Sequence, residues 1–453
     1  MPTSLLSRFD KCFAAAWLDH DRVLLGTKDN KLASLNIDTG ECNEVPLPSR
    51  LRFERMELTE ASERADGDWI SEPSTSRNAS PSYAIGQDPG FAPFGRGEVR
   101  NVAFPPTPDL VDGASIYENC GIHAIAINPS GTRMVTGGAN PSDAAVFSVP
   151  DLRPTALLTS HTDWVFGLDW ITDNLVASGS RDKTVKIFSV PDAASRGSTY
   201  RQLSVPVATL SVHRDRVRDV KYCHGIKRLA SMSTDGCVIF TVPETMSAVE
   251  QTKICSRREL VCLATDGNIL AAGSQEHVSF LDNRARGVVR DERLVGNSND
   301  GVRSLSFTGG GRLLTCGGGA GAITFFDVRA GKFLPGERGD NVLDNAPAYD
   351  TCLSLGSSRD STPHASPRRS GASSPDRISD PGFDESQGEP LTLEAGEGWL
   401  DREHHIYLDH FTPGLGVFNA CYTHAWDPAG ARLLVAGGPL AYGLKGCYVG
   451  VWR

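Results

Sequence analysis

Hydrophobic positions along this chain fall in short runs broken by Gly, Asp, Asn and Pro, and the period within a run is closer to two than to 3.6. Residues 161–190, HTDWVFGLDWITDNLVASGSRDKTVKIFSV, show the pattern most clearly. Trp164 to Trp170 mixes aromatic and β-branched residues, Leu175 to Ser178 stops at a Gly-Ser turn, and Thr184 to Val190 alternates apolar with polar. Runs this short, punctuated this often, predict antiparallel strands and not helix. A strand ending in two small residues recurs as LLGT (24–27), VTGG (135–138), ASGS (177–180), SMST (231–234), AAGS (271–274), TCGG (315–318) and VAGG (435–438). Each is preceded by a hydrophobic run and followed by a turn and a second run. Asn128-Pro129-Ser130-Gly131, Thr308-Gly309-Gly310-Gly311 and Asp427-Pro428-Ala429-Gly430 supply turns between first and second strands.

Seven such units predict seven four-stranded blades closed into a ring, which leaves no long exposed sheet edge. His161, Ser178 and Asp182 stand where a WD40 repeat places its buried hydrogen-bond network, with Phe188 at the usual Trp position. The fold class is therefore all-β, a seven-bladed WD40 β-propeller using residues 1–453 as one domain. The last unit ends at Trp452-Arg453, so SLLSRF (4–9) is expected to supply its outer strand and latch the ring. Residues 49–118 and 336–395 do not fit the repeat. Both are poor in apolar residues, the second contains SSRDSTPHASPRRSGASSPDR, and both are expected to be disordered insertions. The Ser-Pro and Thr-Pro pairs of the second are candidate phosphorylation sites.

Composition narrows the class without changing it. The 46 glycines and 27 prolines favour turns over long helices, and a formal net charge of −10 argues against a general nucleic-acid binder. The 11 cysteines are scattered and never form C-x-x-C, so reduced thiols and a cytoplasmic and nuclear location are expected. No His/Cys/Asp cluster has zinc spacing, and no Ser/His/Asp set is placed by sequence. Neither a cofactor nor catalysis is expected. Gly317-Gly318-Gly319-Ala320-Gly321 is a hairpin turn and not a phosphate loop, because no helix follows it.

Aligning the units on their first strands puts one residue per blade at the channel: Phe13, His123, Phe166, Arg218, Val261, Arg303 and Tyr422. Two arginines in such a ring are unexpected. Lys28 (GTKD) and Arg181 (GSRD) share the turn position after the second strand, with Gln275 there in the fifth unit. Lys28, Arg181, Arg216, Arg218 and Arg303 are thus expected at one mouth of the channel. Cations gathered in one place repel unless an anion binds, and arginine's planar fork suits carboxylate or phosphate. The alternative is local neutralisation by Asp29, Asp182, Asp215 and Asp219.

Three stretches resemble one family. CGIHAIAINPSGTRMVTGGANP (120–141), GSQEHVSFLDNR (273–284) and YTHAWDPAGARLLVAGGPLAYGLKGCYVGVW (422–452) are similar to the DCAF family of WD40 substrate receptors, which dock on damage-specific DNA-binding protein 1 in cullin-4 RING ubiquitin ligases. The likeness runs from about residue 9 to the C-terminus apart from the insertions. It implies a non-catalytic receptor that binds client proteins ending in two glutamates through the basic mouth, with Lys28, Arg181, Arg216, Arg218 and Arg303 as pocket cations; the family has Lys at the position of Arg216. The resemblance also implies adaptor contact through a Trp/Phe-Asp-x-Arg motif, here Leu281-Asp282-Asn283-Arg284 and Phe326-Asp327-Val328-Arg329. Asp282, Arg284, Asp327 and Arg329 are the expected adaptor residues. The family carries an N-terminal extension that this sequence does not show, so either the sequence is truncated or the adaptor contact is expected to be weaker; a scaffold without ligase assembly, or a phosphopeptide reader, are the rival readings. Partners in membranes or nucleic acid are not expected.

Overall fold

The structure, a computed structural model, describes residues 6–50, 121–191, 200–254, 259–275, 277–282, 287–293, 301–308, 310–336, 390–396, 398–411, 417–440 and 443–453. Most of both expected insertions, and with them their expected disorder and phosphorylation sites, lies outside the described residues.

The first blade runs Cys12–Trp17, Arg22–Thr27, Leu32–Asn36 and Cys42–Val45, each strand pairing antiparallel with the next. Six further sheets follow, their innermost strands being Ile125–Ile127, Val165–Trp170, Val217–Cys223, Leu260–Asp266, Val302–Thr308 and Asn419–Trp426. The chain is an all-β, seven-bladed propeller, as its repeats predict. The seven small-residue markers lie in second strands or run one residue past them, and neighbouring blades explain why they are small. A Cβ on Gly26, Gly179 or Gly273 would stand 2.5, 2.7 and 2.7 Å from Ile122, Val217 and Val302 of the next blade. The marker is therefore a packing contact between blades. Tryptophans at the far ends of innermost strands tie other seams: Trp17 donates to the Ala425 carbonyl of the last blade at 2.9 Å, and Trp170 to that of Ala126 in the second blade at 3.1 Å.

The network read from residues 161–190 is formed. His161 Nδ1 donates to Asp182 at 2.7 Å, and its Nε2 meets the Ser178 hydroxyl at 2.8 Å; His161 and Ser178 are buried and Asp182 half-buried. A carboxylate on one ring nitrogen fixes the tautomer that meets the serine on the other. Phe188 is buried in the core between the second and third blades.

Two expectations are corrected. The outer edge of the last blade is paired by Trp399–Leu400, a segment upstream of that blade's own innermost strand, and the described part of SLLSRF, residues 6–9, forms no strand. With that edge taken, the apolar N-terminal residues wedge into the seam between the last and first blades. Leu6 and Phe9, 7% and 4% exposed, pack with Leu434, Cys447, Val449 and Val451. The closure is nevertheless tight: the Lys11 N–H donates to the Gly446 carbonyl at 2.7 Å, and Cys12 Sγ lies 3.5 Å from Cys447 Sγ. Second, the insertion expected to end at 395 ends earlier. Lys332–Phe333 and Thr392–Glu394 pair in line against Ala322–Asp327, so the intervening residues leave and return within one outer strand of the sixth blade.

Because Phe9 acts as core and not as a strand partner, Phe9→Ala removes a packed aromatic and should destabilise the propeller by about 3 kcal/mol or more. Denaturant unfolding followed by tryptophan fluorescence measures this, and an unchanged midpoint would show the wedge contributes little.

Candidate functional site

What faces the channel is set by a bulge. In six blades the register between first and second strands slips by one, and the extra residue is Phe13, Phe166, Arg218, Val261, Arg303 or Tyr422. A bulge re-aims a side chain that strict alternation would send elsewhere. These are the ring residues that the repeat alignment singles out, His123 being the seventh. They touch one another around the axis: Tyr422 and Phe13 have ring centroids 5.2 Å apart, Phe13 and His123 stack at 4.9 Å, and His123 meets Phe166 edge-on at 5.0 Å. The Arg218 guanidinium lies over Phe166, 4.6 Å from its centroid.

One backbone bond repeats above this ring and fixes the mouth. The N–H just after the second strand donates to the carbonyl two residues before the bulge: Lys28 to Lys11 (2.8 Å), Arg181 to Trp164 (2.8 Å), Thr234 to Arg216 (3.1 Å) and Gly319 to Gly301 (3.0 Å). Turn residues and strand starts thus share one end of the channel. Lys28 and Arg181 occupy equivalent places, and so do Lys11 and Arg216.

The five cations are held in different ways. Lys28 pairs with Asp10 at 2.9 Å. Arg181 lies over the Trp164 ring at 5.1 Å, with Nε 3.7 Å from Asp163. Arg216, Arg218 and Arg303 form the charged centre. Burial pushes the Arg218 pKa down; Arg216 and Arg303 push it further, while Glu259 and Asp219 oppose them. Arg218 Nε is buried with no hydrogen-bond partner among the described residues. Tyr422 completes this side; burial raises its phenol to about 12, against the pull of Arg303, so it remains a donor at neutral pH.

Of the four aspartates expected to neutralise these cations, most are engaged elsewhere. Asp29 pairs with Lys31 at 3.0 Å and Asp182 with His161, while Asp215 accepts the Arg216 backbone N–H at 2.8 Å. Asp219 accepts backbone N–H groups of Val220 and of Leu263 in the next blade, both at 2.9 Å, and lies 3.8 Å from Lys221. Asp169 bonds the Tyr222 N–H at 2.6 Å in the same fashion. Below the arginines, then, carboxylates staple adjacent innermost strands, and Lys221 supplies their counter-charge.

Lys11 is a cation at this end of the channel that sequence reasoning missed. It occupies the position of Arg216 in the repeat, two residues before the bulge, which was the available signal. It is 4% exposed, and burial lowers its pKa to about 8, with Lys28 adding to the shift and Asp10 opposing it.

The Asp-x-Arg motifs lie at the other end of the propeller, where third strands finish: Asp327 pairs with Leu313, the start of its second strand. Phe326 is 1% exposed and stacked on Phe280 at 5.0 Å, so its aromatic ring is core. Asp327 accepts the N–H groups of Arg329 and Ala330, both at 2.8 Å, and braces its own turn. Arg329 is exposed and Asp282 half-buried, while Asn283 and Arg284 lie outside the described residues.

Comparison with known proteins agrees with this architecture. Over nearly full length the chain is similar to the crystallised WD40 repeats of RRP9, with a TM-score of 0.54 and 11% identity over 98% of this chain and 95% of that one. That likeness is one of fold. A 135-residue stretch is 30% identical to histone acetyltransferase type B subunit 2 of Yarrowia lipolytica (strain CLIB 122 / E 150), covering 28% of this chain and 29% of that protein. The chain thus spans under a third of that curated relative. Residues 108–356 and 371–453 match the family described as the DDB1- and CUL4-associated factor 12 beta propeller. As that match takes in well over half of the chain, the protein belongs to the DDB1- and CUL4-associated factor 12 β-propeller family.

Proposed function

We propose that this protein is a substrate-recognition subunit of a cullin-4 RING ubiquitin ligase and seats the acidic C-terminus of a client, ending in two glutamates, in the basic mouth. The observation that carries the reading is the crowding of Arg216, Arg218 and Arg303 around one channel end in a chain of net charge −10. Burying like charges together is costly, and an anion with several carboxylates relieves the cost. A terminal Glu-Glu offers two side-chain carboxylates and the terminal one to Lys28, Arg181, Arg216, Arg218 and Arg303. The receptor performs no bond chemistry; it positions the client for ubiquitin transfer.

Adaptor contact is assigned to the opposite end, through Asp282, Arg284, Asp327 and Arg329. One observation favours a second reading, a scaffold without ligase assembly: Phe326 is core and Asp327 braces its own turn, which leaves Arg329 as the exposed member of its motif. Co-purification with damage-specific DNA-binding protein 1 separates the two, and Arg329→Ala should reduce capture if the ligase reading holds.

Charge-assisted hydrogen bonds contribute about 1.5–3 kcal/mol each, so amidating the terminus of a Glu-Glu peptide should weaken binding by about tenfold or more. Fluorescence anisotropy checks this, and equal binding of the amidated peptide would remove the terminal-carboxylate reading. Arg218→Ala should lose a similar factor while leaving the ring folded, since the repulsion it removes and the Phe166 contact it gives up offset one another.

A further inference from the structure

The mouth holds a cation unlike the other five. Lys11 sits at the seam where the ring closes, in a left-handed backbone conformation with φ of 28°. Its N–H is held by the Gly446 carbonyl, and its own carbonyl receives the Lys28 N–H. Its Cα and Cγ lie 3.2 and 3.1 Å from where a Cβ on Gly438 would stand, so the last blade closes over the stem of the side chain. Left-handed backbone is unfavourable for a residue with a Cβ, and burying a second ammonium beside Lys28 is unfavourable too. Both features concentrate on one residue, at the repeat position that carries Arg216 three blades away.

We propose that Lys11 is a ligand-coupled cation of the mouth: its amine takes up a proton when an acidic terminus seats beside Lys28, so that anion binding and protonation are one event. The inference rests on the anion-binding reading above and adds a regulation to it.

The sign follows from the surroundings. The charged groups that act on Lys11 are Lys28, on the turn after the second strand of the first blade, and Asp10, its neighbour in sequence just before the first strand. Burial and then Lys28 hold the Lys11 pKa near 8, Asp10 pulling it back. A bound carboxylate acts as a second Asp10 and raises it. Binding therefore draws on the protonated fraction, which is nearly complete at pH 7 and about one tenth at pH 9. The site is full strength below pH 8 and weakens as pH rises through that value. Burial and then His405 lower His404, the hydrogen bond with Cys12 and then burial raise Cys447 well above the thiol range, and Tyr422 stands at about 12.

The test is calorimetric titration of the full chain with an N-acetylated peptide ending in Glu-Glu, at pH 8, in two buffers of different ionisation enthalpy. The expected result is uptake of about half a proton per peptide and about a tenfold loss of affinity from pH 7 to pH 9. Lys11→Arg, which stays charged, and Lys11→Met, which stays neutral, should each abolish the uptake and flatten the pH profile. Using both guards against one failing to fold, and the melting curve of each is recorded. Measurable binding without proton uptake, or uptake that persists in either variant, overturns the role of Lys11 and leaves the anion site standing. Absence of binding at every pH overturns the anion-site reading and this inference together.

Discussion

An innermost propeller strand with perfect alternation would send its side chains by turns to the blades on either side, as Val220 goes to the third blade and Cys223 to the fifth, and would aim none at the axis. The one-residue bulge at the start of six of these strands removes that constraint. It costs a ladder position, and in return one side chain per blade is aimed independently of the framework. Packing within a blade and chemistry at the axis then vary separately. Val217 and Val302 fill the glycine notches of their neighbours, while the next residue in each strand, Arg218 or Arg303, faces the channel.

That separation is what makes a basic mouth tolerable. Arg218, Arg216 and Arg303 destabilise one another, and burial adds to the penalty. Three features offset it. The Phe166 ring faces the Arg218 guanidinium, and a cation over an aromatic face contributes about 0.5–2 kcal/mol. Glu259, at the repeat position shared by Lys11 and Arg216, supplies negative charge from the fifth blade. Beneath them, Asp169 and Asp219 bond backbone N–H groups of the next blade, holding the fourth and fifth blades in place through groups that the arginines do not use. Asp219 thus serves both purposes: its hydrogen bonds go to backbone N–H groups, while its charge offsets part of the Arg218 penalty.

The fold was legible because its signals are local. Small-residue markers, turn dipeptides and the His161–Ser178–Asp182 spacing each report a contact within one unit or between neighbours. Ring closure is not local, and there the reading went astray: SLLSRF has a strand's length, but Leu6 and Phe9 are worth more as buried wedges once Trp399–Leu400 has taken the edge. The ring of axis residues could be read from register alone, because the bulge recurs at one repeat position. Lys11 was passed over because its neighbours in sequence, Asp10 and Cys12, gave no charge pattern. Its company in space comes from the turn of its own blade and from the last blade.

Phe326 shows the converse limit. A motif read as letters treats its aromatic, acidic and basic members alike, yet the third strand delivers them to different places. Phe326 ends inside the strand and must pack, Asp327 terminates it and must satisfy the turn, and Arg329 lies beyond and is left to solvent. The same division holds at the basic end, where Trp164 lies beneath Arg181 and Phe166 beneath Arg218. At both ends the aromatic residue is tied into the fold, and the cation beside it stands nearer the surface or the channel.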